Sequence, residues 1–224
     1  MRWKFILAAV LSLVVLGIFL SLGTWQLQRL QWKEALIAEI EAKIGAAPID
    51  LPKTVDPDQD TYLPVLVSGA FDAGGVFVLG SNRDFGAGHR VISAFAMPDG
   101  RRVLVDRGFV PVRVGRPDLE ASAPMTLTGN LHWPNERDSY TPEDDLAANT
   151  WFARDVEKLA AHLGTDPVLI IAREQTNPAI IPMPVTSAAI PNRHLEYVGT
   201  WFLLAITWSV MTGFALWRMK RRNA

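Results

Sequence analysis

The chain has 224 residues, a formal net charge of -1 and no cysteine. Disulfides, thiolate metal sites, iron–sulfur clusters and covalently attached c-type haem are therefore excluded, and no overall positive field exists to attract nucleic acid. Any metal must be held by His, Met or carboxylate groups, or arrive inside a cofactor.

Arg2 and Lys4 precede the apolar run Phe5–Leu22, which as a helix reaches about 27 Å and is long enough to cross a bilayer. A secretory signal is the competing reading, because Ser21 and Gly23 imitate a small-residue cleavage site. The run exceeds the usual signal core and its helical spacing continues past that point, which favours an uncleaved span. From Thr24 to Ile44 the spacing predicts one long helix projecting from the membrane, with Leu27, Leu30, Ile37 and Ile44 on one side. Glu39 and Lys43 form an i,i+4 pair, and Gly45 with Pro48 ends the run. Trp25 and Trp32 mark the membrane interface and the first turns above it.

Ala46–Thr61, rich in Pro and Asp, reads as a connecting loop. The period then changes to two. Strands are predicted over Tyr62–Phe71, Val76–Leu79, Val91–Ala96, Arg102–Val110 and Met125–His132, with a hairpin turn at Asp99–Gly100. Trp133–Asn149 is a polar loop. A helix starts behind Asp155 as N-cap, buries Val156, Leu159, Ala160 and Leu163, and stops at Gly164 and Pro167; Val168–Ala172 reads as a strand and the Pro-rich Asn177–Pro191 returns the chain to the membrane.

Tyr197–Trp217 carries no charge and spans about 31 Å as a helix. Arg218, Lys220, Arg221 and Arg222 follow it, so basic residues flank the outer ends of both spans and place both termini in the cytoplasm, with the intervening domain opposite. Gly17 and Ser21 offer a small face to Ala205, Ser209 and Gly213, which suits a two-helix hairpin. The predicted class is an α+β membrane protein: an N- and C-terminal transmembrane hairpin around one mostly antiparallel β-sheet or barrel-like domain with one or two helices. Its segments are a first span (1–22), a helical extension (23–45), a β-rich domain (46–191), an interface segment with the second span (192–217) and a basic tail (218–224).

No catalytic constellation stands out. His89, His132 and His162 lie far apart, without metal-ligand spacing, and neither a nucleophile elbow nor a phosphate-cradling glycine loop occurs. Gly80–His89 looks like a site but has the composition of a turn between strands, and Arg107–Gly108 suits an edge or bulge. His194 has two readings. It is either a polar residue ending a span at the interface, or a neutral imidazole able to ligate a metal, with Tyr197 and Trp201 one and two turns below to pack on a flat macrocycle. On the second reading Arg193 pairs with propionates and Glu196 orients the ring.

GTWQLQRLQWKEALIAEIE at Gly23–Glu41, YLPVLVSGAFD at Tyr62–Asp72, VDRGFVP at Val105–Pro111, WFARDVEKLAAHLG at Trp151–Gly164 and NRHLEYVGTWF at Asn192–Phe202, in that order over nearly the whole chain, resemble the surfeit locus protein one family, the Shy-type assembly factors of cytochrome c oxidase. The resemblance implies a non-enzymatic factor that binds haem a, or another haem type, non-covalently and assists its delivery or insertion into the oxidase core subunit. Its implied partners are that subunit, the haem a synthesis machinery and membrane lipid. A chaperone that stabilises oxidase intermediates without cofactor is the alternative, and a periplasmic sensor the next. His194 in NRHLEY matches the family's haem-ligating histidine, and Trp25 in GTWQ falls at the facing end of the first span. Tyr197 and Trp201 complete the expected site. The absence of an Arg- and Ser-rich presequence favours a bacterial member of the inner membrane with a periplasmic central domain.

Overall fold

The computed structural model describes residues 2–222; Met1 and, in the basic tail, Asn223 and Ala224 lie outside the described residues. The chain forms two compact units, one from Met1–Glu39 with Ser187–Ala224 and one from Ile40–Thr186.

The first unit is a helical pair. Helix α1 (Arg2–Ile44) runs without a break from the apolar segment through the polar extension, and α4 covers His194–Arg222. Both are long and apolar enough to cross a membrane. Their contacts run in opposite order along the two helices, as in a hairpin: Trp208 Nε1 donates to Ser12 O at 3.0 Å, the Phe19 ring centre lies 6.1 Å from that of Trp201 and 6.4 Å from that of Trp208, and Gly23 meets the Phe202 ring. The expected small-residue seam is only partly right. Ala205 is buried, but Gly17 and Gly213 have open space around them. Gly23 makes the close approach instead, since a Cβ there would stand 3.1 Å from the Phe202 ring. Further along, the contacts between the helices are made by the Phe19, Trp201 and Trp208 rings.

The second unit is a mixed sheet that closes on itself. Its strands are β1 (Ile49–Asp50), β2 (Pro64–Phe71), β3 (Val76–Asn82), β4 (Gly86–Ala96), β5 (Arg102–Pro111), β6 (Met125–Leu131), β7 (Thr150–Trp151) and β8 (Leu169–Ala172). The order is β1-β2-β6-β8-β5-β4-β3-β7, and β4 pairs with β2 as well, so β2, β6, β8, β5 and β4 form a ring. Closure occurs where Ala70–Phe71 meets Ala96–Phe95. Gly69 permits it, because a Cβ there would stand 2.2 Å from Ala96 O.

The alternation read from the sequence explains the two cores. Val65 and Val67 of β2, Val103 and Val105 of β5, Leu127 and Leu131 of β6 and Ile170 of β8 share one cluster with Phe71 and Phe95. Leu104, Leu169 and Ile171, the alternate positions, pack instead with Val156, Leu159 and Ala160 of α3 (Val156–Leu163). Helix α3 starts and stops where expected: Asp155 accepts from the Lys158 N–H, and Gly164 closes the end in a left-handed conformation.

The segment 46–61, expected as loop, contains β1 and the short helix α2 (Pro57–Asp60). Strand β1 exists through its parallel pairing with Val65–Leu66, a contact that no local pattern encodes. The turn expected within Gly80–His89 is shorter than that stretch, because β3 and β4 extend into it. Asn82 Oδ1 accepts from the Asp84 and Phe85 N–H groups at the tip.

Candidate functional site

About two turns of α1 and four of α4 build the candidate site. Phe19, Gly23 and Gln26 recur at helical spacing on one face of α1, and His194, Val198, Trp201, Ala205 and Trp208 do so on α4. At the head of this seam His194 Nδ1 and Gln26 Oε1 are 2.8 Å apart. Gln26 is 9% exposed, a buried amide on an otherwise apolar seam. Burial of an unpaired amide is costly, and the imidazole answers that cost.

Two further polar atoms are buried without a partner: Trp201 Nε1, an N–H donor, and Asn192 Oδ1, an acceptor. They belong to the same stretch of the second span as His194. A ring nitrogen, an aromatic wall and an orphaned donor make a donor set that suits a flat metal macrocycle with polar substituents, so the residues present fit haem.

The expected site residues do not all converge. His194 and Trp201 lie on the seam. Trp25 and Tyr197 lie off it, 49% and 52% exposed. Glu196 does not orient the His194 ring; it pairs with Arg193 at 3.4 Å, and both are exposed. The polar side chain that reaches the His194 ring is Gln26, which the sequence reading passed over although it sits in the GTWQ stretch. The available signal was a single amide on the face of α1 that carries Phe19 and Gly23.

The β-rich unit holds a separate polar cluster. Asp106, fully buried, accepts from Arg90 Nε at 2.6 Å and Arg154 Nη1 at 3.3 Å, while Arg154 also pairs with Glu136. A cavity of about 350 Å3 is lined by Arg90, Glu136, Arg154, Phe109 and Met183. Two arginines face two carboxylates, so the cluster is neutral within itself and reads as a structural network. Burial alone would raise the Glu136 pKa, but the hydrogen bonds and charge of Arg154 outweigh it and hold the carboxyl below its usual range.

His132 stacks on Tyr62, ring centres 5.5 Å apart, with Nδ1 buried and unpartnered. Burial, reinforced by the Arg154 charge, pushes its pKa below the ordinary 6.5. Burial and Arg116 do the same for His89. The unfolded chain thus takes up protons near 6.5 that the folded protein refuses, so this part of the stability is complete above that pH and is lost as the pH falls below it. Glu136 adds a loss of the same sign below about 4.5. Thermal melting of the full chain in detergent is expected to drop as pH is lowered from 7 to 5, and His132→Phe to flatten that slope; a slope unchanged in the variant refutes the assignment.

The SURF1 family model matches residues 13–206, which takes in the whole β-rich unit, α1 from residue 13 onward and the first half of α4. Surfeit locus protein 1 of Xenopus tropicalis is 34% identical over 209 residues, covering 81% of this chain and 67% of that protein. The human Surfeit locus protein 1 is 32% identical over 220 residues, covering 85% and 71%. The SURF1-like protein of Monosiga brevicollis is 33% identical over 223 residues, covering 91% and 83%. A match of this length, running from within α1 across the closed sheet and into α4, makes the chain a member of the SURF1 family.

Proposed function

We propose that this protein is a membrane-anchored assembly factor for haem-copper cytochrome c oxidase, which holds haem a through His194 and assists its delivery to the core subunit. The observation that carries the reading is the His194–Gln26 pair at the head of the helical seam, above the Phe19, Trp201 and Trp208 rings. When bound, haem would supply an iron centre for which a neutral imidazole nitrogen is a suitable ligand. His194 would provide that nitrogen, Trp201 an aromatic wall and an N–H donor, and Trp25 and Tyr197 the flanking surface at the membrane interface. The role is one of holding and releasing, not of catalysis. Its partners are the oxidase core subunit and the haem a synthesis machinery, within lipid.

The basic residues at the outer helix ends, Lys4 on α1 and Arg218, Lys220 and Arg221 on α4, support cytoplasmic termini and a periplasmic β-rich unit in a bacterial inner membrane. A ligand at the mouth of a span suits a haem with a lipophilic tail, whose propionates face water while the tail stays in hydrocarbon.

The test is co-expression with the haem a pathway, purification in detergent and absorption spectroscopy. His194→Ala is expected to lose at least tenfold in haem content relative to wild type. A variant with full haem content and an unchanged spectrum removes the ligand and leaves a chaperone that stabilises oxidase intermediates without cofactor.

A further inference from the structure

We infer that Gln26 is the positioning residue of this site: its side-chain oxygen accepts the Nδ1–H of His194 and so holds the imidazole in the tautomer whose Nε2 lone pair is free to bind iron. The inference rests on the haem-holding reading above and extends it to a residue on the opposite helix.

In a neutral imidazole one nitrogen carries the proton and the other the lone pair, and a hydrogen bond at one fixes the role of the other. With the Gln26 carbonyl oxygen 2.8 Å from Nδ1, the proton sits on Nδ1 and Nε2 is the ligand atom. A histidine ligand held in this way is also more basic, because the acceptor draws on its N–H. Gln26 is the one buried polar side chain among the described residues of the helical unit, and its placement follows from its own helix. Gly23, one turn before it, lets the Phe202 ring come against the α1 backbone, and that close approach brings an amide within reach of the head of α4. Glu196, on the same helix as His194, is turned to Arg193 and leaves this task to α1.

Two substitutions separate positioning from packing. Gln26→Leu keeps the size and removes the acceptor; Gln26→Glu keeps an acceptor and adds charge. In haem-free full-length protein in detergent, nitrogen-15 shifts of the His194 ring, assigned against His194→Ala, should show the Nδ1–H tautomer in wild type and Gln26→Glu, and a shift towards Nε2–H in Gln26→Leu. Haem a affinity should fall at least tenfold in Gln26→Leu and persist in Gln26→Glu. The reduction potential of the Gln26→Glu complex should fall, since a carboxylate acceptor makes the ligand more basic. A Gln26→Leu protein with wild-type tautomer and affinity overturns the inference. Should that variant fail to fold, a Gln26→Glu complex with an unshifted potential overturns it equally. Loss of haem in His194→Ala with none in Gln26→Leu defeats the positioning role alone, whereas full haem in His194→Ala defeats the reading beneath it.

Discussion

Gly108→Ala is expected to leave little folded protein. Gly108 has φ 124°, in the region where side chains other than hydrogen are strained. A Cβ there would stand 2.1 Å from Ile181 O and 2.8 Å from Ile181 C, which are backbone atoms that no rotamer change can move. The carbonyl it strikes accepts from the Phe109 N–H at 2.8 Å, and the Ile181 N–H donates back to Phe109 O at 2.9 Å. The methyl group therefore forces apart the bridge that ties the 177–191 segment to β5. Strain and the lost bridge together are expected to exceed about 4 kcal/mol, at the severe end of single substitutions. Gly100→Ala is the control. It has a similar constraint, φ 89°, but open space where the Cβ would go, and should cost only about 1–2 kcal/mol. Chemical denaturation of the two variants in detergent would decide it; equal losses would mean that the close approach to Ile181 carries no weight.

Two residues earlier, Asp106→Asn is expected to lower stability by about 3–5 kcal/mol. The Asp106 carboxylate is fully buried between Arg90 and Arg154, and its other oxygen accepts from the Gly108 N–H at 3.1 Å. The amide retains the shape but not the charge, so two largely buried guanidinium groups lose part of their compensation while Glu136 remains with Arg154 alone. For a chain of this length the melting midpoint should fall by on the order of 10 °C. A midpoint within about 2 °C of wild type would show that the two arginines reach solvent or Glu136 well enough without Asp106.

Both residues belong to one irregularity. Val91 pairs with Gly108 and Ile92 with Asp106, so Arg107 faces no partner on β4 and the strand bulges. The extra residue sends Arg107 over the Phe71 ring at 4.2 Å, with Nε donating to Thr176 Oγ1 at 3.0 Å, and turns Asp106 towards the two arginines. A bulge was the ordinary expectation for Arg107–Gly108, and the reading stands because its signal is local: a glycine inside a β-branched run. What Asp106 does there was not legible. Its partners lie on β4 and beyond β7, and nothing in VDRGFVP announces them.

The same division runs through the chain. Amino-acid order alone determined the two long apolar helices, the continuous run of α1 through Ile44, the strands β2 to β6 and β8 to within a few residues except at the β3–β4 turn, and α3 with both its caps. Each of these depends on neighbours in the chain, because helical and strand periods sort side chains by burial within a single segment and caps act over one turn. Tertiary structure decided the closure of β4 onto β2, the parallel pairing of β5 with β8, the existence of β1 and β7, and the meeting of Gln26 with His194. Those contacts join residues far apart in sequence, and which backbone edges and helix faces meet depends on how separate segments bury their apolar sides together. An imidazole at the end of a span is legible as a residue; the amide that selects which of its nitrogens faces outward becomes visible only when the other helix is laid beside it.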